Sequence, residues 1–294
     1  MGVVKRTITC TNTDEMTCTF GETAVSPFLL EDCDGVYSVS NTVTMSENKM
    51  TDGATYQGSV TKSRNIVLTL RDKTNHVSNR NFLYALFKSK SRGELVLKED
   101  QNERRTDYYV ESIESDGVSG PRKYTVSLIC DDPFFYDMED ITVYMSAWKS
   151  SFRFPHSFVA AKEEFGYKSN VKMQNIVDDI AQDGIGMEIQ ITCNGPVTNP
   201  TITRVESDEH ITVGSSAKIF SMVSGDVLLI TTGVNDKHLY LTHEGVKAEI
   251  NEYLTEDSEF IQLFRGDNHI GYSSDTGTDN IVVAITYRLK YAGA

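Results

Sequence analysis

Apolar and polar residues alternate along residues 281–291, and this period of two is the strongest structural signal in the chain. Ile281, Val283, Ile285, Tyr287, Leu289 and Tyr291 fall on one face of an extended strand. Val282, Ala284, Thr286, Arg288 and Lys290 fall on the other, half of them wettable. The turn-forming run Thr276-Gly277-Thr278-Asp279-Asn280 comes just before, and residues 268–272 read as the preceding strand. A closing Tyr-Arg-Leu-Lys-Tyr run predicts a segment built into a sheet. Catalysis has no need of such an element, so the reading leans toward a structural or recognition role.

The same alternation recurs upstream. In residues 123–130, Tyr124, Val126, Leu128 and Cys130 share a face, and the strand halts at Asp131-Asp132-Pro133. Proline cannot donate to a ladder and keeps its predecessor out of helical geometry, so the chain turns there. Phe134, Phe135 and Tyr136 follow and are expected to pack between domains. These features place a boundary between residues 132 and 133, giving two mainly β domains, 1–132 and 133–294. A chain of 294 residues is long enough for two domains or for one large β domain.

In the first domain, residues 65–72, 94–98 and 107–113 read as strands, the last two partners across a turn near Asn102-Glu103. Phe82, Leu83, Leu86 and Phe87 repeat at helical spacing behind a cap at Ser78 or Asn79. Residues 51–63, with Gly53 and Gly58, are expected to form a long exposed loop, costly to order unless it contacts something. The second domain offers strands at 140–145, 187–193, 201–205, 209–213, 226–231, 238–241 and 260–264, consistent with a sandwich. Pro196 and Pro200 are expected to fence a turn. Met173, Ile176, Val177 and Ile180 predict a short surface helix ended by Gly184.

Charge and cysteine usage narrow the function classes. The net charge is −14, and residues 1–132 carry −3 of it against −11 for residues 133–294. An acidic chain without a basic stripe is poorly suited to grip nucleic acid, although it suits the wall of a path that DNA passes through. No apolar run approaches the roughly 18 residues of a membrane helix, and none forms a signal core. Cys10, Cys18, Cys33, Cys130 and Cys193 are odd in number and widely spaced, which reads as reduced thiols and synthesis in a cytosol.

The search for chemistry yields no catalytic, cofactor-binding or metal-binding assignment. There is no G-x-S-x-G elbow, H-E-x-x-H pair or phosphate loop, and Gly184-Ile185-Gly186 lacks a third glycine. His238 and His243 are near neighbours without a third ligand, and His76, His156, His210 and His269 stand apart. Glu206, Asp208 and Glu209 lack the spacing of a calcium loop and read as solvated charge. Trp148, Tyr240 and Tyr272 are the aromatic candidates for stacking on sugar rings, against the alternative of sheet packing.

Five pieces in order carry a family resemblance: Asp52-Gly53-Ala54-Thr55-Tyr56-Gln57-Gly58-Ser59 with Ser63-Arg64-Asn65-Ile66; Ile129-Cys130-Asp131-Asp132-Pro133-Phe134-Phe135-Tyr136; Asn199-Pro200-Thr201-Ile202; Gly225-Asp226-Val227-Leu228-Leu229-Ile230; and the run from Glu259-Phe260 to His269-Ile270 leading into the Tyr287-Arg288-Leu289-Lys290-Tyr291 ending. Over most of its length the chain resembles the distal tail proteins of long-tailed phages, a siphovirus-type tail component family. The resemblance implies a tail-tube-like β domain with a packed helix, closing as a hexameric ring, and a galectin-like β-sandwich outside it. It further implies a non-enzymatic virion protein of the tail tip or baseplate. Its partners would be the tail tube protein, the hub or tail-associated lysin, the tape measure and receptor-binding proteins. Its roles would be host attachment and genome ejection, without membrane insertion or sequence-specific nucleic-acid binding. A carbohydrate-binding adhesin is the alternative. The family's outer domain sometimes carries carbohydrate-binding insertions, and this sequence has no room for one.

Overall fold

The computed structural model describes residues 6–21, 26–47, 52–73, 76–116, 122–150, 166–170, 173–178, 182 and 184–293. The protein is mainly β with one short α-helix. It divides into two compact units, Met1–Met138 with Lys290–Ala294, and Glu139–Leu289. The first unit holds 17 Lys and Arg against 20 Asp and Glu, a net −3, and the second carries the remaining −11.

In the first unit, β1 (Arg6–Asn12), β2 (Thr17–Gly21), β3 (Phe28–Asp34), β6 (Arg64–Asp72), β7 (Arg92–Glu99), β8 (Asn102–Asp116) and β9 (Lys123–Cys130) form an antiparallel sheet in the order β2-β1-β7-β8-β9-β6-β3. Between β3 and β6 the chain makes a separate ribbon of β4 (Asn41–Glu47) and β5 (Ala54–Thr61). Alternation drives the main sheet: Ile66, Leu68 and Leu70 of β6 and Tyr124, Val126, Leu128 and Cys130 of β9 are all buried. Helix α1 (His76–Leu86) adds Leu83 and Leu86, with Phe87 just beyond it, to a core that includes Phe20, Phe28 and Tyr108. Phe28 meets Tyr124 edge-on at 6.4 Å.

Asn12 shows how a single polar side chain ties local elements together. Its Nδ2 donates to the carbonyls of Ala85 (3.2 Å) and Leu86 (3.1 Å), which are otherwise orphaned at the helix end. Its Oδ1 accepts from the backbone of Asp14 and Met16, fixing the β1–β2 turn. The helix is already formed at His76, so Ser78 and Asn79 lie within its first turn instead of capping it.

Residues 133–138, expected beyond the domain boundary, belong to the first unit. β10 (Phe135–Asp137) pairs with β8, and the Phe135 ring is fully buried in the first unit's core.

The second unit contains β11 (Ile141–Tyr144), β12 (Ser146–Ser150), β13 (Gly166–Asn170), β14 (Met173–Asp178), β15 (Met187–Cys193), β16 (Val197–Arg204), β17 (Glu209–Thr212), β18 (Ser221–Met222), β19 (Val227–Gly233), β20 (Asp236–His243), β21 (Val246–Glu249), β22 (Gly266–Thr276) and β23 (Ile281–Tyr287). One sheet runs β11-β23-β15-β19-β20-β21 and another β14-β22-β16-β17 with β18 on β16, in a sandwich-like arrangement. Ile189, Ile191, Leu228, Ile230, Val283 and Ile285 of the first sheet and Ile202, Ile211 and Ile270 of the second are buried. Gly277 turns the chain at φ +79, where a Cβ would stand 2.0 Å from the Pro196 carbonyl.

Several expectations are corrected here. Residues 173–178 are strand β14 against β22, not a helix, and Ile180 lies outside the described residues. Residues 260–264 form no strand beyond the bridge Leu263–Ile185. Buried Asn268 explains this, because its side chain donates to the Phe264 carbonyl at 2.7 Å and accepts from the Phe264 N–H at 2.9 Å, replacing a ladder. Pro200 sits inside β16, opposite Ser274, after a kink at Asn199 (φ +46). The alternation at the chain's end shifts register after Tyr287: β24 (Lys290–Tyr291) buries Lys290 instead of exposing it.

Candidate functional site

The β4–β5 ribbon is exposed at nearly every position. Thr44 pairs with Gly58 and Met45 with Tyr56, leaving Gln57 as a bulge, and Lys62 closes the base through its N–H to the Ser40 carbonyl at 2.8 Å. Residues 51–63 were expected as a loop; Ala54–Thr61 is a strand, and only its setting is loop-like. Strand propensity forms it locally, since Thr42, Val43, Thr44, Thr55, Tyr56, Val60 and Thr61 are all β-branched or aromatic.

The ribbon's surface chemistry is unlike the rest of the chain. Val43, Met45, Tyr56 and Val60 are 51%, 55%, 59% and 71% exposed. The pairing sets Val43, Met45 and Tyr56 on one face and Val60 on the other. Glu47 is the single charge in the two strands, whereas 24% of the whole chain is charged. A two-stranded ribbon is marginal alone, and its outer edges carry unpaired N–H and C=O groups that invite another chain. Burying such side chains stabilises a contact by about 1.5–3 kcal/mol each before ordering costs.

The candidates for chemistry are dispersed or already engaged. His238 Nδ1 meets Glu249 at 2.7 Å, and His243 Nδ1 meets Asp226 at 2.7 Å, so the two rings are held by different carboxylates. The bond from Asp226 raises the His243 pKa above its ordinary value. Glu206 accepts from both the backbone N–H (2.8 Å) and Nδ1 (2.6 Å) of His269. Burial pushes the Glu206 carboxyl up, but the His269 bonds outweigh it and the pKa falls. Glu206 and Glu209 flank Arg204, at 3.7 and 3.4 Å, while Asp208 sits at φ +58 in the intervening turn. Among the described residues no group of three or more His, Cys, Asp or Glu is placed to hold a metal ion.

Of the sugar-stacking candidates, Tyr272 is 5% exposed and faces the core, which removes it from that role. The Tyr240 ring is covered by Lys247 Nζ at 4.0 Å and stacked with His238 at 5.6 Å. Trp148 belongs to β12, and its side chain lies outside the described residues.

Two polar centres escaped the sequence reading. Asp72, fully buried, accepts from the Arg122 N–H at 2.6 Å and meets His76 at 2.6 Å, tying the end of β6 to the start of α1. Arg64, 4% exposed, donates to main-chain carbonyls alone among the described residues: Pro133 (2.7 Å), Gly35 (2.8 Å), Val36 (2.7 Å) and Ala292. Neither has a local motif, because the partners lie far apart in sequence.

No family model matches the sequence, and no curated protein matches it closely enough to serve as a relative. Solved structures do share the architecture: the fold is that of phage tail hub proteins. The crystal structure of SPP1 Dit (gp 19.1), a hub protein of the adsorption apparatus in phages infecting Gram-positive bacteria, matches with a TM-score of 0.67 at 11% identity. The match covers 97% of this chain and 99% of that one. A chain of the phage P2 baseplate, in its activated conformation with calcium, matches with a TM-score of 0.50 at 10% identity over all of both chains.

Proposed function

We propose that this protein is a non-enzymatic structural subunit of a phage tail tip. Its first unit, a tail-tube-like domain, closes as a hexameric ring at the distal end of the tail, and its second is a galectin-like outer domain. The observation that carries this reading is the fold likeness to SPP1 Dit across nearly the whole of both chains. The β4–β5 ribbon supports it independently, because an exposed apolar face with a single charge suits contact with a neighbouring subunit or the adjoining tube ring.

The ring joins the tail tube protein to the hub or tail-associated lysin, with the tape measure and receptor-binding proteins as further partners. DNA passes through the bore without sequence-specific contact. The ring-forming first unit carries only −3 of the net −14, so repulsion of phosphate in the bore rests on a few of its carboxylates. The test is direct imaging of subunit mixed with tube protein. Six-fold rings on tube ends are the expected result, and a strict monomer under those conditions contradicts it.

A further inference from the structure

The first unit is not completed by consecutive sequence. β10 takes β8 on one side and β24 on the other, in a register that sets Phe135 opposite Tyr291 and Tyr136 opposite Lys290. The whole of the second unit is inserted between those two paired strands. Short strands hold poorly by main-chain pairing alone, and here side chains supply the grip. Arg104 donates to the Gly293 carbonyl at 2.5 Å, and its guanidinium lies 3.7 Å over the Tyr291 ring. Tyr291 Oη donates to Asp137 at 3.1 Å across 154 positions. Buried Lys290 sets its ammonium 4.7 Å over the Phe134 ring.

Arg64 decides what the returning segment is for. A buried cation is tolerated only when its donors are satisfied, and this one has main-chain carbonyls as partners and stands 4.8 Å over Phe135. One of those carbonyls belongs to Ala292. Until residues 290–293 arrive, the Arg64 guanidinium is short of one of its four carbonyls, Arg104 is without the Gly293 carbonyl and the Tyr291 ring, and β10 is without its β24 partner.

We propose that residues 290–293 are a closing strap, so that the first unit reaches its assembly-competent form only after the second has been made and the chain has come back. The assembly clause rests on the ring reading above; the strap itself does not. Hydrogen exchange read by mass spectrometry tests it on the soluble subunit, comparing wild type, a chain ending at Leu289, and Tyr291→Ser. Peptides from β6, β8 and β10 are expected to exchange at least about tenfold faster in the shortened chain, with those from β15, β19 and β23 unchanged. Tyr291→Ser is expected to act in β8 and β10 only, by a smaller factor. Unchanged exchange in the first unit of both variants overturns the strap. If the shortened chain yields no folded protein, Tyr291→Ser decides alone by the same criterion. Faster exchange with normal ring formation on tube ends overturns the assembly clause. Absence of rings from the wild type as well defeats the ring reading and leaves the strap to the exchange data.

Discussion

The β4–β5 ribbon and β24 belong to the same unit and divide the work of a β-strand in opposite ways. The ribbon has seven- and eight-residue strands paired along their length apart from the Gln57 bulge, yet its side chains are exposed almost throughout among the described residues. β24 has two residues, but Lys290 is buried and Arg64 and Arg104 seize the backbone that follows. Ladder length therefore says little about anchoring. The short strand is fixed by side chains from distant segments, while the long ribbon is ordered by its own pairing and keeps its apolar face available.

Substitution of Arg64 tests the anchored side most severely. Arg64→Met should destabilise the first unit by about 3–5 kcal/mol, because one buried and three half-buried carbonyls lose their donor at once. Denaturant unfolding followed by probes in each unit should show a lowered midpoint in the first and little change in the second. A loss below about 1 kcal/mol would mean that water or a shifted chain replaces the guanidinium easily.

Two glycines sharpen the contrast. Gly35 (φ +82) offers its carbonyl to Arg64, and a Cβ there would stand 1.9 Å from the Asn65 carbonyl. Gly53, at the ribbon's turn, has φ +96 and open space around its Cβ position. Gly35→Ala should cost about 2–4 kcal/mol from strain plus displaced backbone, whereas Gly53→Ala should cost only the left-handed strain of about 1–2 kcal/mol. Equal losses measured by thermal unfolding would erase the distinction between the two settings.

How much of this was legible follows the same division. Strands buried on one face were read directly: β6, β9, β15 and β23 alternate because one side meets the core. β4 and β5 escaped because with both faces wet no alternation is imposed. β1 escaped because Thr7, Thr9 and Thr11 dilute the contrast with Ile8 and Cys10. Met173 and Ile176 stand three apart, a spacing that fits a helix as well as β14, and only pairing with β22 settles it. The roles of Arg64 and Asn268 depend on partners that sequence does not bring near. The exposure of residues 51–63 was legible but their strand was not, since glycine and small polar residues mark loop and ribbon alike.

A smaller effect distinguishes anchoring by arginine from anchoring by histidine. The strap is gripped by arginine, a side chain that stays charged across the accessible pH range, so it should not respond to pH between about 6 and 9. In the second unit, the Asp226 bond raises the His243 pKa. His210 is raised first by the Asp208 carbonyl, against some loss from burial, and further by Asp257. A histidine whose folded pKa exceeds its unfolded value of about 6.5 stabilises fully below that value and loses the contribution as pH rises through the folded pKa. The second unit's unfolding midpoint should therefore fall modestly from pH 6 to pH 9. His243→Asn with His210→Asn should flatten that fall; an unchanged slope would contradict the pairing.

The ribbon's role is tested most directly by making its apolar face charged without touching the core. Val43→Lys, Met45→Lys and Tyr56→Lys together should leave the subunit's unfolding free energy within about 0.5 kcal/mol, since these side chains are exposed. The decisive measurement is imaging of this variant beside the wild type, each mixed with tube protein. The account predicts six-fold rings on tube ends for the wild type and a folded subunit that forms none for the variant. Rings of equal number and symmetry from both would contradict it.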